Sequence, residues 1–174
     1  MAVPIAKALG LRVIVTGNAR ARELFISMGV DRYMDYKQEN YWEQLSDIDC
    51  VIDTLGPAEF EHELAVLKKG GRLVSLRTGP NKAFAQRNHF TSLKKLLFAL
   101  AGSKYDKAAK KQGKEYRFVF VRSNGAQLQK IAEIVEKQQV RPAIDARIFS
   151  LDQANEALQL VAKGQLNGKV MIQL

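Results

Sequence analysis

A single cysteine and two histidines are all that this chain of 174 residues offers as soft metal ligands. Cys50 lies in the apolar run DCVIDTLG, where it can neither staple the fold nor, with only His62 and His89 beside it, complete a zinc cluster. Its expected role is that of a small buried hydrophobe. No apolar run reaches the roughly 18 residues that a membrane-spanning helix needs, and the N-terminal MAVPIAKALG lacks the grammar of a signal-peptide cleavage site. The expectation is therefore a cytoplasmic protein without a membrane span. There is no Ser-His-Asp set, no pair of carboxylates at catalytic spacing and no HExxH, so the nucleophilic and zinc-peptidase chemistries carried by those patterns have no footing here. Internal repeats and low-complexity tracts are missing too.

What is present describes a packed domain. With 47% hydrophobic and 26% charged residues the chain can bury a core and forms one domain, or one domain plus a fragment. The net charge of +9 is compatible with nucleic acid or an anionic membrane surface, but much of it comes from one segment, residues 81–115.

The chain is organised around Leu11 to Tyr36, LRVIVTGNARARELFISMGVDRYMDY. Leu11 to Thr16 is a β-branched run closed by Gly17, and Leu24, Phe25 and Met28 then recur at helical spacing until Gly29. This reads as a β-α-β unit, which demands parallel strands, and parallel sheets need helices on both faces. The alternation continues. VPIAKAL before Gly10 reads as the end of a helix, Glu39 to Leu45 as a short helix, Asp49 to Thr54 as a strand broken by Gly56 and Pro57. Pro57 to Lys68 reads as a helix with Phe60, Leu64 and Leu67 on one face, after which Gly70-Gly71 turns the chain into the strand Arg72 to Leu76. Beyond residues 81–115 come the strand Tyr116 to Val121, the helix Ala126 to Gln138 and the extended Ile144 to Phe149. A helix, Asp152 to Lys163, with Ala154, Ala157, Leu158 and Val161 inward, leads to a final strand from Gly168. The fold class is α/β.

The succession AKALGLRVIVTGNARARELFISMGVDRYMDY, DCVIDTLG, LKKGGRLVSL, YRFVFV, VRPAIDARIFSLDQANEAL and NGKVMIQL resembles the C-terminal half of the medium-chain dehydrogenase/reductase superfamily, and within it the zinc-independent NADPH:quinone oxidoreductase-like branch. The resemblance implies a Rossmann-type sheet of strand order 3-2-1-4-5-6 that binds NADPH at its switch point. It also implies a division into a truncated NADP-binding domain over residues 1–142 and a C-terminal segment, 143–174, that in relatives returns to the catalytic domain. Such relatives carry a first strand and a glycine-rich, pyrophosphate-binding turn upstream of the helix that here ends at Leu9, so the expectation is a sheet lacking both and NADPH binding that is weak in this fragment. The expected function is the nucleotide-binding portion of an oxidoreductase that passes hydride to a carbonyl, conjugated carbonyl or quinone, alcohol dehydrogenase-like in architecture, with this chain alone inactive. A non-catalytic remnant acting through association is the alternative, and a basic nucleic-acid binder comes after it.

The resemblance also places candidate cofactor-binding residues, none of them catalytic and none a metal ligand. At the end of the second Rossmann strand, where NAD-specific domains put an acid, the chain has Thr16-Gly17-Asn18 followed by Arg20 and Arg22. A guanidinium suits the 2′-phosphate of NADP, and Tyr36 matches the tyrosine that quinone reductases use beside it. The two arginines equally read as solvated residues at an exposed helix start. Asp53 and Thr54, at the carboxyl end of their strand, match the segment that passes the nicotinamide ribose, although Asp53 also reads as a turn acid. Leu76 and Thr78 edge the next strand, and Phe120 belongs to a strand whose end contacts the nicotinamide amide, where aromatic residues also serve as plain core. Residues 81–115 combine an apolar helix face of Leu93, Leu96, Leu97 and Leu100 with a lysine-rich helix; a membrane-surface or RNA contact competes with the reading that the segment covers a sheet edge beside the substrate cleft.

Without a first strand, Leu11 to Thr16 and Asp49 to Thr54 would leave a seam of unpaired backbone groups, to be closed by direct pairing of those strands or by another copy of the chain. A homodimer is the expected outcome. Light scattering across a dilution series checks it: a monodisperse monomer that melts cooperatively at every concentration would count against it.

Overall fold

The computed structural model describes residues 2–164, 166 and 168–173. Met1 and Leu174, which bound the two expected domains, lie outside the described residues. In chain order the elements are α1 (Ala2–Ala8), β1 (Ile14–Gly17), a 3-10 turn (Ala19–Ala21) leading into α2 (Arg22–Ser27), β2 (Arg32–Asp35), α3 (Tyr41–Gln44), β3 (Ile48–Asp53), α4 (Phe60–Ala65), β4 (Leu67–Ser75), α5 (Lys82–Arg87), α6 (Ser92–Ala101), α7 (Ser103–Lys111), β5 (Glu115–Phe118), α8 (Gly125–Lys137), β6 (Ile144–Ser150), a second 3-10 turn (Leu151–Gln153), α9 (Ala154–Ala162) and β7 (Lys169–Gln173). Strand and helix alternate as the sequence requires, and no helix among the described residues is long and apolar enough to cross a membrane.

The strands form three sheets: β1 with β2, then β3-β4-β5, then β6 with β7. The first reproduces the pair 3-2 of the order 3-2-1-4-5-6, and the second, parallel throughout, reproduces the run 4-5-6. Among the described residues β1 and β3 belong to different sheets. The chain separates into two compact units, residues 1–33 with 124–174 and residues 34–123.

In the first unit α1 packs on α8, and Gly10, at φ +74°, ends α1 in the left-handed conformation that a glycine adopts without strain. Asp31 anchors the entry to β1, accepting from Lys7 Nζ (2.7 Å) and from the backbone N–H of Val13 (2.6 Å). The β6-β7 pair is parallel and carries α9 across it. Here the expected burial differs. Ala157 is buried and Ala154 and Leu160 are half-buried, whereas Leu158 and Val161 are exposed, because two strands give the helix a narrow seat that covers a single stripe.

The second unit holds the main core, Phe60, Leu64, Leu67, Leu73, Phe84, Ala109, Tyr116 and Phe118, with Phe84 edge-on to Phe118 (5.2 Å) and Phe60 edge-on to Tyr116 (5.5 Å). All three residues expected on one helix face, Phe60, Leu64 and Leu67, are in it, but Leu67 reaches it from a strand. Helix α4 ends at Ala65, and β4 begins two residues later. Gly70-Gly71 is accordingly a bulge inside β4, not a turn before it: Ile48 faces Leu67, yet Cys50 faces Arg72, so the register slips between them. Gly71 must be glycine there, since a Cβ would stand 2.8 Å from the carbonyl oxygen of Lys68. Cys50 is exposed, contrary to expectation, because strand parity turns Val51 and Asp53 inward and Cys50 and Ile52 to the opposite face. Strand β5 stops at Phe118, which leaves Phe120 and Val121 exposed beyond it.

The α5-α6-α7 segment is fastened by Asn81, which is 1% exposed. Its Oδ1 caps α5 by accepting from Phe84 N–H (2.9 Å), and its Nδ2 donates to Asp106 Oδ1 (2.6 Å) on α7 and to the carbonyl of Tyr116 (3.3 Å) on β5. Gly102, the joint between α6 and α7, lies directly on Asn81, where a Cβ would come within 2.6 Å of the Asn81 Cα. Gly102→Ala is therefore expected to cost about 1–3 kcal/mol of stability. Gly125→Ala, at the start of α8 with nothing within 4 Å of the new methyl, is the control and stays within about 0.5 kcal/mol of the parent or gains stability. Urea unfolding of the two variants measures the difference.

Candidate functional site

Parallel strands β3, β4 and β5 bring their carboxyl ends to one edge of the second unit, and the chain gathers polar groups there. Asp53 ends β3 in register with Ser75, the last residue of β4, and both are fully buried. Asp53 Oδ1 accepts from the backbone N–H groups of Leu55 (2.7 Å) and Gly56 (2.8 Å). Its Oδ2 accepts from the hydroxyls of Ser75 (2.5 Å) and Thr78 (2.8 Å). Ser75 Oγ in turn accepts from the N–H groups of Arg77 (3.1 Å) and Thr78 (2.8 Å). One carboxylate thus ties the loop after β3 to the loop after β4. Burial by itself would raise its pKa, but the bonds from Ser75, Gly56, Thr78 and Leu55 prevail and hold the carboxyl below its ordinary range.

The other expected residues of this unit stand around that knot. Thr54 is exposed, Leu76 is 42% exposed, Thr78 is buried in the knot, and Phe120 is 66% exposed just past β5, where Val119 N–H still bonds the Ser75 carbonyl (3.0 Å). Asp53 itself spends its acceptors internally, so what it presents to a ligand is the pair of loops it holds. Tyr36 lies exposed just after β2.

In the first unit the end of β1 carries the remaining residues. Thr16 is exposed, and Asn18 caps the following turn, its Oδ1 accepting from Ala21 N–H (3.2 Å). The carbonyl of Asn18 accepts from the hydroxyl of Tyr33 (2.6 Å), whose ring lies so close over Gly17 that a Cβ there would overlap it. Arg20 is exposed, and the exposed Arg22 guanidinium stands 5.9 Å above the Tyr33 ring. Tyr33 is the positioning residue that sequence reasoning passed over; its mark was a tyrosine at a buried strand position, where the hydroxyl needs a partner. Ser75 was overlooked likewise, a hydroxyl at an inward position of LVSL.

A third overlooked residue, Glu63, is 5% exposed and lies on the buried side of α4, with no hydrogen-bond partner for its Oε2 among the described residues. Burial, then the negative charges of Asp53 and Glu59, push its pKa up to about 8. A carboxyl on the same helical stripe as Phe60, Leu64 and Leu67 was its signal in the sequence.

Comparison with known proteins gives concordant matches. The family described as zinc-binding dehydrogenase matches residues 28–172. NAD(P)H oxidoreductase RTN4IP1, mitochondrial, from Danio rerio is 29% identical over 99% of this chain and 45% of its own length, and the Bos taurus protein of that name is 31% identical over 98% and 44%. A 2-methylene-furan-3-one reductase from Solanum lycopersicum is 30% identical over 92% of the chain and 33% of its length. Among solved structures, a quinone oxidoreductase from Coxiella burnetii superposes with a TM-score of 0.74 at 22% identity, over 99% of this chain and 48% of the other. The chain thus spans less than half the length of these relatives.

The buried carboxyls make stability depend on pH. The folded protein keeps the Glu63 proton up to about pH 8, whereas the unfolded chain releases it near the ordinary value of 4.5. The contribution is full below pH 4.5 and is lost as pH rises through 8. Between pH 5 and 8.5 the parent should lose on the order of 2 kcal/mol that Glu63→Gln, a permanent mimic of the protonated acid, does not lose. Urea unfolding at the two pH values checks this, and parallel losses in both proteins would refute it.

Proposed function

Because the chain belongs to the zinc-binding dehydrogenase family and is the C-terminal nucleotide-binding half of the medium-chain dehydrogenase/reductase architecture, we propose that it binds a nicotinamide nucleotide, NADPH in preference to NADH. The observation that carries the reading is the end of β1, where Thr16, Asn18, Arg20 and Arg22 follow one another without a carboxylate and both guanidiniums are exposed. A ribose diol would want an acid at that place; a 2′-phosphate wants planar, permanently charged donors. The residues fit the phosphorylated nucleotide. Tyr33 keeps the turn in shape through the Asn18 carbonyl, and Tyr36 is the further candidate for the phosphate.

The bound nucleotide would supply hydride, and the name of one relative, 2-methylene-furan-3-one reductase, favours a conjugated carbonyl as acceptor. The protein's task is then to bind, orient and keep water away. The loops joined by Asp53 suit the nicotinamide end. With Asp53, Ser75 and Thr78 locked together, the backbone at Thr54 and at Leu76 is held rigid, and Leu55, Leu76 and Phe120 add an apolar rim. A zinc ion is not part of the proposal for these residues: no group of three or more His, Cys, Asp or Glu among the described residues is arranged to hold one.

Isothermal titration of the chain with NADPH and NADH tests the reading. Arg20→Ala with Arg22→Ala should weaken NADPH binding about tenfold or more, equivalent to roughly 1.4 kcal/mol, while leaving NADH unchanged. Equal losses for both nucleotides, or a parent that prefers NADH, would overturn the assignment of the phosphate.

A further inference from the structure

Helix α6 is seated with its leucines outward. Its core contacts are made by Phe98, edge-on to Phe84 at 5.8 Å and tilted against Phe90 at 5.5 Å. Leu93, Leu96, Leu97 and Leu100, at the i, i+3, i+4, i+7 spacing that normally marks a core-facing stripe, are 69%, 57%, 56% and 65% exposed. They form one apolar strip on a ten-residue helix.

The charge around the strip is of one sign. Residues 81–115 contain nine Lys and Arg against two acids, and both acids are engaged within the fold. Asp106 accepts from Asn81, and Glu115 from Arg72 (2.7 Å). Lys94, Lys104, Lys107, Lys110 and Lys111 are exposed, and none of them pairs with a carboxylate among the described residues. The joint at Gly102, pressed on Asn81, fixes the basic α7 to the end of the leucine strip.

We propose that α6, with the lysines of α7, docks on an anionic lipid surface, its leucines entering the headgroup boundary and its lysines meeting lipid phosphates and carboxylates. The combination selects this occupant. A nucleic acid would match the lysines and leave four leucines in water. A second copy of the chain would cover the leucines and set like-charged lysines against each other. A bilayer surface rich in acidic lipid takes both at once, and a helix of about 15 Å lies on such a surface without spanning it.

Vesicle co-sedimentation tests the proposal, using phosphatidylcholine vesicles with and without phosphatidylserine. The expected result is partition onto the phosphatidylserine vesicles only, lost in about 1 M salt where the screening length falls to about 3 Å. Lys104→Glu with Lys107→Glu should lower partition by about 25-fold or more, and Leu96→Gln with Leu97→Gln by about tenfold. Both variants change exposed side chains, so their melting curves should match the parent, and each serves as the check on the other. Absence of partition, equal partition onto neutral vesicles, or no response to the leucine substitutions would overturn the proposal. So would light scattering in which the parent is a dimer and the leucine variant a monomer, or a leucine-independent retention of single-stranded RNA.

Discussion

A carboxylate taken out of water must find a donor for every lone pair it turns inward, and Asp53 is where this chain meets that demand. Two backbone N–H groups and two hydroxyls converge on it, one set from the loop that follows β3 and the other from the end of β4 and the loop beyond. The strand ends can satisfy the acid in one relative position only. The carboxyl edge of the sheet is consequently rigid without any helix cap: α4 begins at Phe60, well past the loop that Asp53 closes, and its N-cap residue Glu59 makes no capping bond. The same charge reaches Glu63 and favours its neutral form, so the permanent anion and the retained proton are two results of one burial.

Elsewhere the fold leaves charge unspent. Lys7 pairs with Asp31, Arg72 with Glu115 and Arg147 with Asp145, contacts that fix strand starts and neighbours. Arg20, Arg22 and the lysines of α6 and α7 are held on the surface without a carboxylate partner among the described residues. Exposed ion pairs contribute little to stability, so the pairing that exists is a matter of geometry, and the cations that remain unpaired are free to meet anions from outside. The arginines sit on a turn shaped by Tyr33, and the lysines on helices fastened by Asn81. In both places a neutral, buried hydrogen-bonding residue shapes the backbone that carries the charges, and at β1 the Tyr33 ring also lies beneath the Arg22 guanidinium.

The sequence by itself determined what depends on near neighbours. The alternation of strand and helix, the stops at Gly10 and Gly29, the apolar α6 and the lysine-rich α7, though not the short α5 before them, and the absence of an acid after β1 are all readable because each is settled within a few residues by backbone sterics and periodicity. Tertiary structure decided what depends on the partner across the fold. Leu67 has the spacing of a helix face but is claimed by β3 as a strand neighbour, and the slip at Gly70-Gly71 that allows this is visible only once two strands lie side by side. The parity that exposes Cys50 and buries Asp53 is fixed by which face of the β3-β4-β5 sheet meets the core, against which Ile48 and Val51 pack. In α6 the aromatic cluster of Phe84 and Phe90 takes Phe98 and turns the leucines outward, although their spacing alone is that of a core stripe. Periodicity announces that a helix has an apolar face; which face is buried follows from what the remainder of the chain offers to pack against it, because burial belongs to pairs of surfaces and a sequence pattern describes only one of them.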